Sequence, residues 1–348
     1  MRKLASIQRI WKIEPIEGAD NIELAYVEGW QVVVNKNKFK PMELAVYFEI
    51  DSFLPIREEF EFLRKTSYRK TEIMGEGFKL KTIKLKGKFS QGLLEKIETF
   101  KELENVEIEL YMDLTKLLGI KEWQIEERIT TSGTMMGKLP YFVPHTDETR
   151  IQTIPELLNE FKNKEYYIST KMDGSSHSIG VDEKGIHVTG HNYEYKDDGN
   201  FAFYNLIKER KINEKVVDFY KRNNLKTLVI QGELCAPGIQ KNRLKLIKPE
   251  WYVFTIMEND KRVGLDRMLE ICNKLDLIHV PIEERDFDLT SKYQTIESLL
   301  LRADGDYPNG GKKEGIVIRT VVPELCNLIN APLSIKVINN KYLLKNDD

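Results

Sequence analysis

Tyr166-Tyr167-Ile168-Ser169-Thr170-Lys171-Met172-Asp173-Gly174 is an aromatic and β-branched run that ends on a lysine and an Asp-Gly pair. The first residues predict a strand and the last a tight turn, and residues 176–181 predict a second strand. A lysine at a strand end, with Asp173 beside it and Gly174 letting a ligand approach the backbone, suits a covalent amine nucleophile. Taken alone, Lys-x-Asp-Gly arises by chance in on the order of one chain in ten of this length. It then reads as a hairpin turn with a surface lysine, so the choice falls to the rest of the chain.

Four further segments follow in order. Gln231-Gly232-Glu233-Leu234 closes the apolar run Leu228-Val229-Ile230. Tyr252-Val253-Phe254-Thr255-Ile256 is a β-branched and aromatic strand. Glu314-Gly315-Ile316-Val317-Ile318-Arg319 comes after the turn Asn309-Gly310-Gly311 and the pair Lys312-Lys313. Ser334-Ile335-Lys336-Val337 comes last. Each by itself has an ordinary reading: a strand with one carboxylate, a core aromatic, an exposed alternating strand and a solvated lysine. The set, in this order, is a signature.

With these segments the chain resembles the covalent nucleotidyltransferases, the superfamily of polynucleotide ligases and capping enzymes. Within that superfamily it is most similar to ATP-dependent RNA ligases with an N-terminal OB module, the fifth RNA ligase family. Four more stretches support this: Thr146-Asp147-Glu148-Thr149-Arg150, Pro237-Gly238-Ile239-Gln240, and in the N-terminal third Ile50-Asp51-Ser52-Phe53-Leu54-Pro55 with Ser90-Gln91-Gly92-Leu93.

The resemblance implies an α+β fold: an OB-like small β-barrel over residues 1–125, then an antiparallel α+β nucleotidyltransferase (ATP-grasp-like ligase) domain over 126–348. It implies ATP and Mg²⁺ or Mn²⁺ as cofactors and RNA as partner. Lys171 takes the role of nucleophile. Lys336 is the second cation that depresses the amine's pKa and neutralises the α-phosphate. Glu314, Asp173 and Glu233 are candidate metal ligands. Phe254 and Val317 sandwich adenine, and Thr170, Gly174, Asn192 and Arg319 complete the nucleotide site, with Arg319 suited to a two-point grip on phosphate. One departure stands out. Many relatives carry Ser-Arg-Asn after the strand that follows the lysine, and this chain has Gly190-His191-Asn192. A histidine there cannot reproduce the two-point grip of an arginine on ribose or 5′-phosphate.

Composition sets the outer limits. At 348 residues the chain accommodates one or two domains, and no apolar run approaches the ~20 residues of a membrane span. No secretory signal is visible. Cys235, Cys272 and Cys326 are odd in number and lack Cys-x-x-Cys spacing, which argues for a reducing, cytoplasmic setting and against a disulfide frame or zinc site. The five histidines show no metal-ligand spacing, and His177 and His191 read as strand residues. Walker-type and Gly-x-Gly-x-x-Gly loops are absent, so ATP chemistry here is not that of a P-loop enzyme. Nothing points to an obligate protein partner.

Net charge is −2, so any RNA surface is local. The candidate is Lys79, Lys81, Lys84, Lys86 and Lys88, spread along an alternating apolar pattern whose slip near Thr82 predicts a bulge in one basic strand. Lysines also protect strand edges from pairing, and that reading stays open. Up to about Leu110, short strands and turns predict a small barrel. Residues 110–129 predict a short helix and linker, and Thr130-Thr131-Ser132-Gly133-Thr134 a bridge to the second domain. Helices are predicted at 154–161, 204–223 and 267–275.

DNA ligases and capping enzymes commonly place an OB domain after the last lysine motif, and the short stretch beyond Lys336 leaves no room for one. The expected activity is therefore RNA sealing at 3′-OH/5′-phosphate breaks, with nicks in duplex as the favoured substrate. The alternatives are a ligase for DNA or mixed strands, and an RNA-binding protein that has lost catalysis.

Overall fold

A computed structural model describes residues 2–124, 133–199 and 201–345. Residues 130–132 of the expected bridge, and the boundary at 125/126, lie outside these. The chain divides into two compact units, Met1–Glu126 with Gln152–Pro155 and Leu343–Asp348, and Glu127–Ile151 with Glu156–Tyr342.

The first unit is built on antiparallel strands. Five pair in the order Leu93–Glu95, Leu44–Phe48, Ala5–Pro15, Ile22–Val27, Trp30–Asn35, and four more in the order Lys121–Glu122, Ser52–Leu54, Gly75–Lys79, Tyr68–Thr71. The long Ala5–Pro15 strand slips register between Ile10 and Lys12, which lets one strand curve across the barrel. Leu44–Phe48 is buried on both faces. Val46 and Phe48 enter a core with Ile7, Phe60 and Phe100. Ala45 and Tyr47 enter another with Ile10, Trp30 and Val32. Period-2 alternation thus feeds two cores from one strand.

The expected bulged basic strand is two strands. Gly75–Lys79 belongs to the four-stranded sheet, and Thr82–Leu85 leaves it to pair with Lys88–Gln91 in a separate hairpin. The slip at Thr82 marks this change of partner, because Leu80 and Thr82 are both buried and the chain must turn between them. Residues 110–124 hold turns and the Lys121–Glu122 strand, and the short helix expected there does not form.

In the second unit two sheets carry the motifs. Seven strands pair in the order Met135–Lys138, Tyr193–Tyr195, Gly185–Thr189, Ser175–Asp182, Leu228–Cys235, Glu250–Glu258, Lys261–Arg262. Five pair in the order Thr149–Arg150, Ser334–Ile338, Gly315–Thr320, Glu165–Lys171, Ile282–Phe287. The pairing of Thr149–Arg150 with Ser334–Ile338 is parallel, while the other four strands of that sheet pair antiparallel to one another. The α+β class expected from the sequence is the class observed.

Helices Ala202–Glu209, Ile212–Arg222 and Leu265–Leu275 cover the larger sheet, burying Phe203, Val216, Phe219, Met268 and Ile271 against Ile179, Ile230 and Val253. The helix expected over 204–223 is interrupted at Lys211, whose φ of 54° is left-handed and cannot continue a right-handed helix. The 154–161 patch winds as a 3-10 helix, Pro155–Phe161. Among the described residues no helix is long and apolar enough to cross a membrane.

Candidate active site

Lys171 ends a strand of the smaller sheet, and Ser175 begins a strand of the larger one. The Lys-Met-Asp-Gly turn is therefore a crossover between sheets rather than a hairpin. Gly174 is what lets the crossover close: a Cβ there would meet the Leu234 carbonyl at 2.4 Å and Glu233 Cγ at 2.9 Å. The sequence suggests a glycine that admits a ligand. In the fold it admits the Glu233 strand, and its amide hydrogen-bonds the Glu233 carboxylate.

Strand register then gathers the remaining groups. Lys171 faces Gly315 across one ladder, Val317 faces Lys336 across the next, and Lys336 faces Arg150 across the third. In the larger sheet Ser176 faces Glu233. Gly315 is as tightly constrained as Gly174, since a Cβ would lie 2.1 Å from the Val337 carbonyl. The result is an open cleft lined by Lys171, Glu233, Phe254, Val317, Arg319 and Lys336, together with Thr146, Asp147, Glu148, Ser169, Thr170, Met172, Ser176, His191 and Val280. Its cavity volume is about 200 Å³. Met172, Phe254, Val280 and Val317 supply its apolar lining, and Lys171, Glu233, Arg319 and Lys336 much of its charged side.

The charged side is organised around an ion pair. Lys171 Nζ lies 2.8 Å from Glu314 Oε2. Tyr307 ties their backbones together, donating its hydroxyl to the Lys171 carbonyl (2.7 Å) and accepting from the Glu314 amide (3.1 Å). Burial works to lower the Lys171 pKa, but Glu314, Glu233 and Asp173 outweigh it, so the amine is held above its ordinary value. This reverses the sequence expectation of a depressed lysine. Lys336 takes the opposite shift, to about 8, through burial and its neighbours Lys171 and Arg150. Burial also drives Glu233 up to about 8, with Glu314 and Asp173 adding to the rise against Lys171. Two carboxylates that resist sharing charge are the oxygen donor set a hard divalent cation would relieve.

Several expected site residues are placed differently. Asp173 turns away from the cleft: Tyr342 donates to its Oδ1 at 2.8 Å, and Arg243 Nε sits 3.2 Å from Oδ2. Arg319 lines the cleft but its guanidinium is occupied, donating to Glu148 (2.5 Å), Ser334 (3.0 Å), the Phe254 carbonyl (2.5 Å) and Thr255 (3.1 Å). It braces the two sheets and is not presented as a phosphate fork. Thr170 gives its amide to the Pro281 carbonyl and its hydroxyl to Glu283, which leaves only acceptor capacity for a ligand. Asn192 is exposed and outside the cleft lining, where His191 stands instead. His191 itself falls in the turn before Tyr193–Tyr195 rather than in a strand. His177 is a core histidine, pushed down to about 4 by burial and tilted against the Phe201 and Phe203 rings.

Tyr307, Arg243, Tyr342 and Glu283 escape sequence reasoning because they belong to no motif. For Tyr307 the Asn309-Gly310-Gly311 turn is the one local hint, since the tyrosine's amide and carbonyl close that turn. In the first unit, Lys79 packs over the Trp123 ring and Lys84 over Phe89. Lys84, Lys86 and Lys88 are exposed on the hairpin, and Lys81 is half-buried.

Against known proteins, residues 164–338 match an RNA ligase family model and residues 4–97 an OB-fold domain. Naegleria gruberi RNA ligase with PPi superimposes with a TM-score of 0.87 at 30% identity, over 100% of both chains. The chain belongs to the RNA ligase family. A mutant of the Naegleria gruberi ligase with ATP and Mn gives a TM-score of 0.88 at 31% identity over 100% of both chains. Another, with AMP and Mn, gives 0.88 at 30% identity, again over 100% of both. No curated protein matches the chain by sequence. The OB-like barrel followed by an α+β ligase domain, expected from the motifs, is thus the architecture of this RNA ligase.

Proposed function

We propose that the chain is an ATP-dependent RNA ligase that seals 3′-OH/5′-phosphate breaks, with nicks in duplex RNA as its substrate. The single observation carrying this reading is the convergence of Lys171, Glu233 and Lys336, on strands of two sheets, and Glu314, just before the strand Gly315–Thr320, at a cleft also lined by Phe254 and Val317. In the first step the neutral Lys171 amine attacks the α-phosphorus of ATP. A P–N bond forms, the bond to the β-phosphate oxygen breaks, and pyrophosphate leaves while the amine loses its proton. AMP then passes to an RNA 5′-phosphate, and a 3′-OH displaces AMP to form the phosphodiester.

Each residue has a distinct task. Lys336 places positive charge against the α-phosphate and disfavours a second ammonium nearby. Phe254 and Val317 hold the base. Glu314 and Glu233 would hold Mg²⁺ or Mn²⁺, and the bound ion would stabilise charge on the phosphate oxygens. With both carboxylates committed to such an ion, Glu314 and Glu233 would hold Lys171 as an ammonium less strongly. Asp173, locked by Tyr342 and Arg243, acts by fixing the crossover. The Naegleria gruberi ligase structures with ATP and Mn, and with AMP and Mn, are consistent with this cofactor set.

The first unit is assigned to gripping nicked duplex through Lys79, Lys81, Lys84, Lys86 and Lys88, and residues 126–348 to adenylyl transfer. Three unpaired, buried cysteines suit a reducing cytoplasm. Incubation with α-labelled ATP and a divalent ion, followed by a denaturing gel, is the test: label on the wild type and none on Lys171→Ala. No label on either protein would favour a retired RNA-binding protein. Sealing of strands with ribose against deoxyribose 3′ ends separates RNA ligase from DNA ligase.

A further inference from the structure

We propose that His145, Asp147 and His191 form a second metal site at the cleft mouth, which takes a borderline divalent transition ion and leaves positions open to phosphate oxygens. His191 lies far along the chain from the other two, and the three show no ligand spacing in the sequence. The fold nevertheless brings one ligand atom of each within 4.8 Å of the others. His191 Nε2 points at Asp147 Oδ2 across 3.7 Å, and the two imidazoles meet edge to face with centroids 5.7 Å apart.

His191 is also oriented from behind. Its Nδ1 lies 3.4 Å from Thr146 Oγ1, which in turn lies 2.8 Å from Ser176 Oγ. A hydrogen bond on one ring nitrogen aims the other, and this is how ligating histidines are usually held. Ligands about 2.1 Å from one ion sit roughly 3–4 Å from each other, so the three groups need only a small closing movement. His145 and Asp147 are exposed side chains for which such a rotamer adjustment costs little.

Donor chemistry chooses the ion. Two imidazoles and one carboxylate suit Zn²⁺, Mn²⁺, Co²⁺ or Ni²⁺, whereas Mg²⁺ prefers oxygen alone. The site therefore differs in kind from the Glu233–Glu314 pair. Three protein ligands leave one tetrahedral or three octahedral positions vacant for other donors. Asp147 and His191 both line the cleft, and Asp147 is near enough to Lys336 for its charge to act there. Without an ion the rim presents a carboxylate that repels phosphate. With one, it presents positive charge facing Lys336. His191 cannot clasp a phosphate through two parallel hydrogen bonds as arginine does, but an ion bound to it can hold the oxygens directly.

Tag-free protein stripped with a chelator and titrated with Co²⁺ tests this. One ion per chain should produce the visible bands of nitrogen-ligated cobalt. His145→Ala and His191→Ala should each weaken binding at least about 10-fold, the loss already caused by removing a metal ligand's outer partner. Glu314→Gln should keep the bands. Inorganic pyrophosphate and a 5′-phosphorylated oligoribonucleotide are then added separately, and whichever shifts the spectrum identifies the phosphate source. Wild-type protein without such bands, or bands unchanged in both histidine variants, would overturn the metal site. A spectrum indifferent to both phosphates would overturn the open positions. Thermal melting verifies that the variants are folded. Since the readout is ion binding and not sealing, its failure would leave the ligase reading untouched.

Discussion

Lys171 Nζ stands 2.8 Å from Glu314 Oε2, and the Tyr307 hydroxyl locks the two backbones into that pairing. The proposed nucleophile is thus stored as an ammonium. Its pKa lies above the ordinary lysine range because Glu314, Glu233 and Asp173 outweigh burial. Deprotonating even an unperturbed lysine at neutral pH costs about 4–5 kcal/mol. AMP uptake at saturating ATP should therefore climb with pH, by nearly tenfold per unit while the ammonium dominates. A rate independent of pH from neutral to mildly alkaline conditions would remove this role from the pair.

Tyr307→Phe keeps the ring and deletes the hydroxyl that serves both backbones. Leaving those groups without this partner costs about 1–3 kcal/mol and loosens the Lys171–Glu314 geometry. We expect kcat for adenylylation to fall while KM for ATP changes little, because the base-binding wall is elsewhere. A variant with unaltered kcat would show the bridge to be dispensable.

Glu233→Gln should trade activity for stability in a pH-dependent way. Burial raises the folded carboxyl from an ordinary 4.5 to about 8. The folded state therefore keeps a proton that the unfolded chain releases. Stability from this group is complete below about 4.5 and is lost as pH rises through about 8. Glutamine has no such proton to lose. Thermal melts of wild type and variant should diverge across this interval in favour of the variant, and parallel curves would refute the shift.

Arg319 and Glu148 form a buried pair with side chains 6% and 13% exposed. Arg319→Ala leaves the Glu148 carboxylate buried without its cation, so a loss of about 3–5 kcal/mol is expected, visible in denaturant unfolding. Were Arg319 only a phosphate grip, stability would hold and KM alone would move.

Replacing Lys84, Lys86 and Lys88 by alanine removes exposed charge from the hairpin. RNA affinity should weaken, and the slope of log affinity against log salt should flatten by about 0.7–0.9 for each phosphate that a lysine no longer neutralises. AMP uptake should be unaffected. An unchanged salt slope would assign these lysines to edge protection.

Sequence alone carried the strands and their order, because aromatic and β-branched runs bounded by Gly, Asp and Asn are local signals. It also marked Lys171, Glu233, Phe254, Glu314 and Lys336, since each occupies a fixed place in a short motif. What local pattern cannot carry is partnership. Whether Lys171 and Ser175 belong to one hairpin or to two sheets depends on which distant strand each pairs with. The same holds for Arg319 and Asp173, whose side chains suit catalysis but are spent on Glu148 and on Arg243 with Tyr342. Tertiary packing also decided protonation: burial and charges from separate strands, summed at one point, raise Lys171 and lower Lys336. Coulomb and desolvation effects act through space, and the chain order holds no record of those distances.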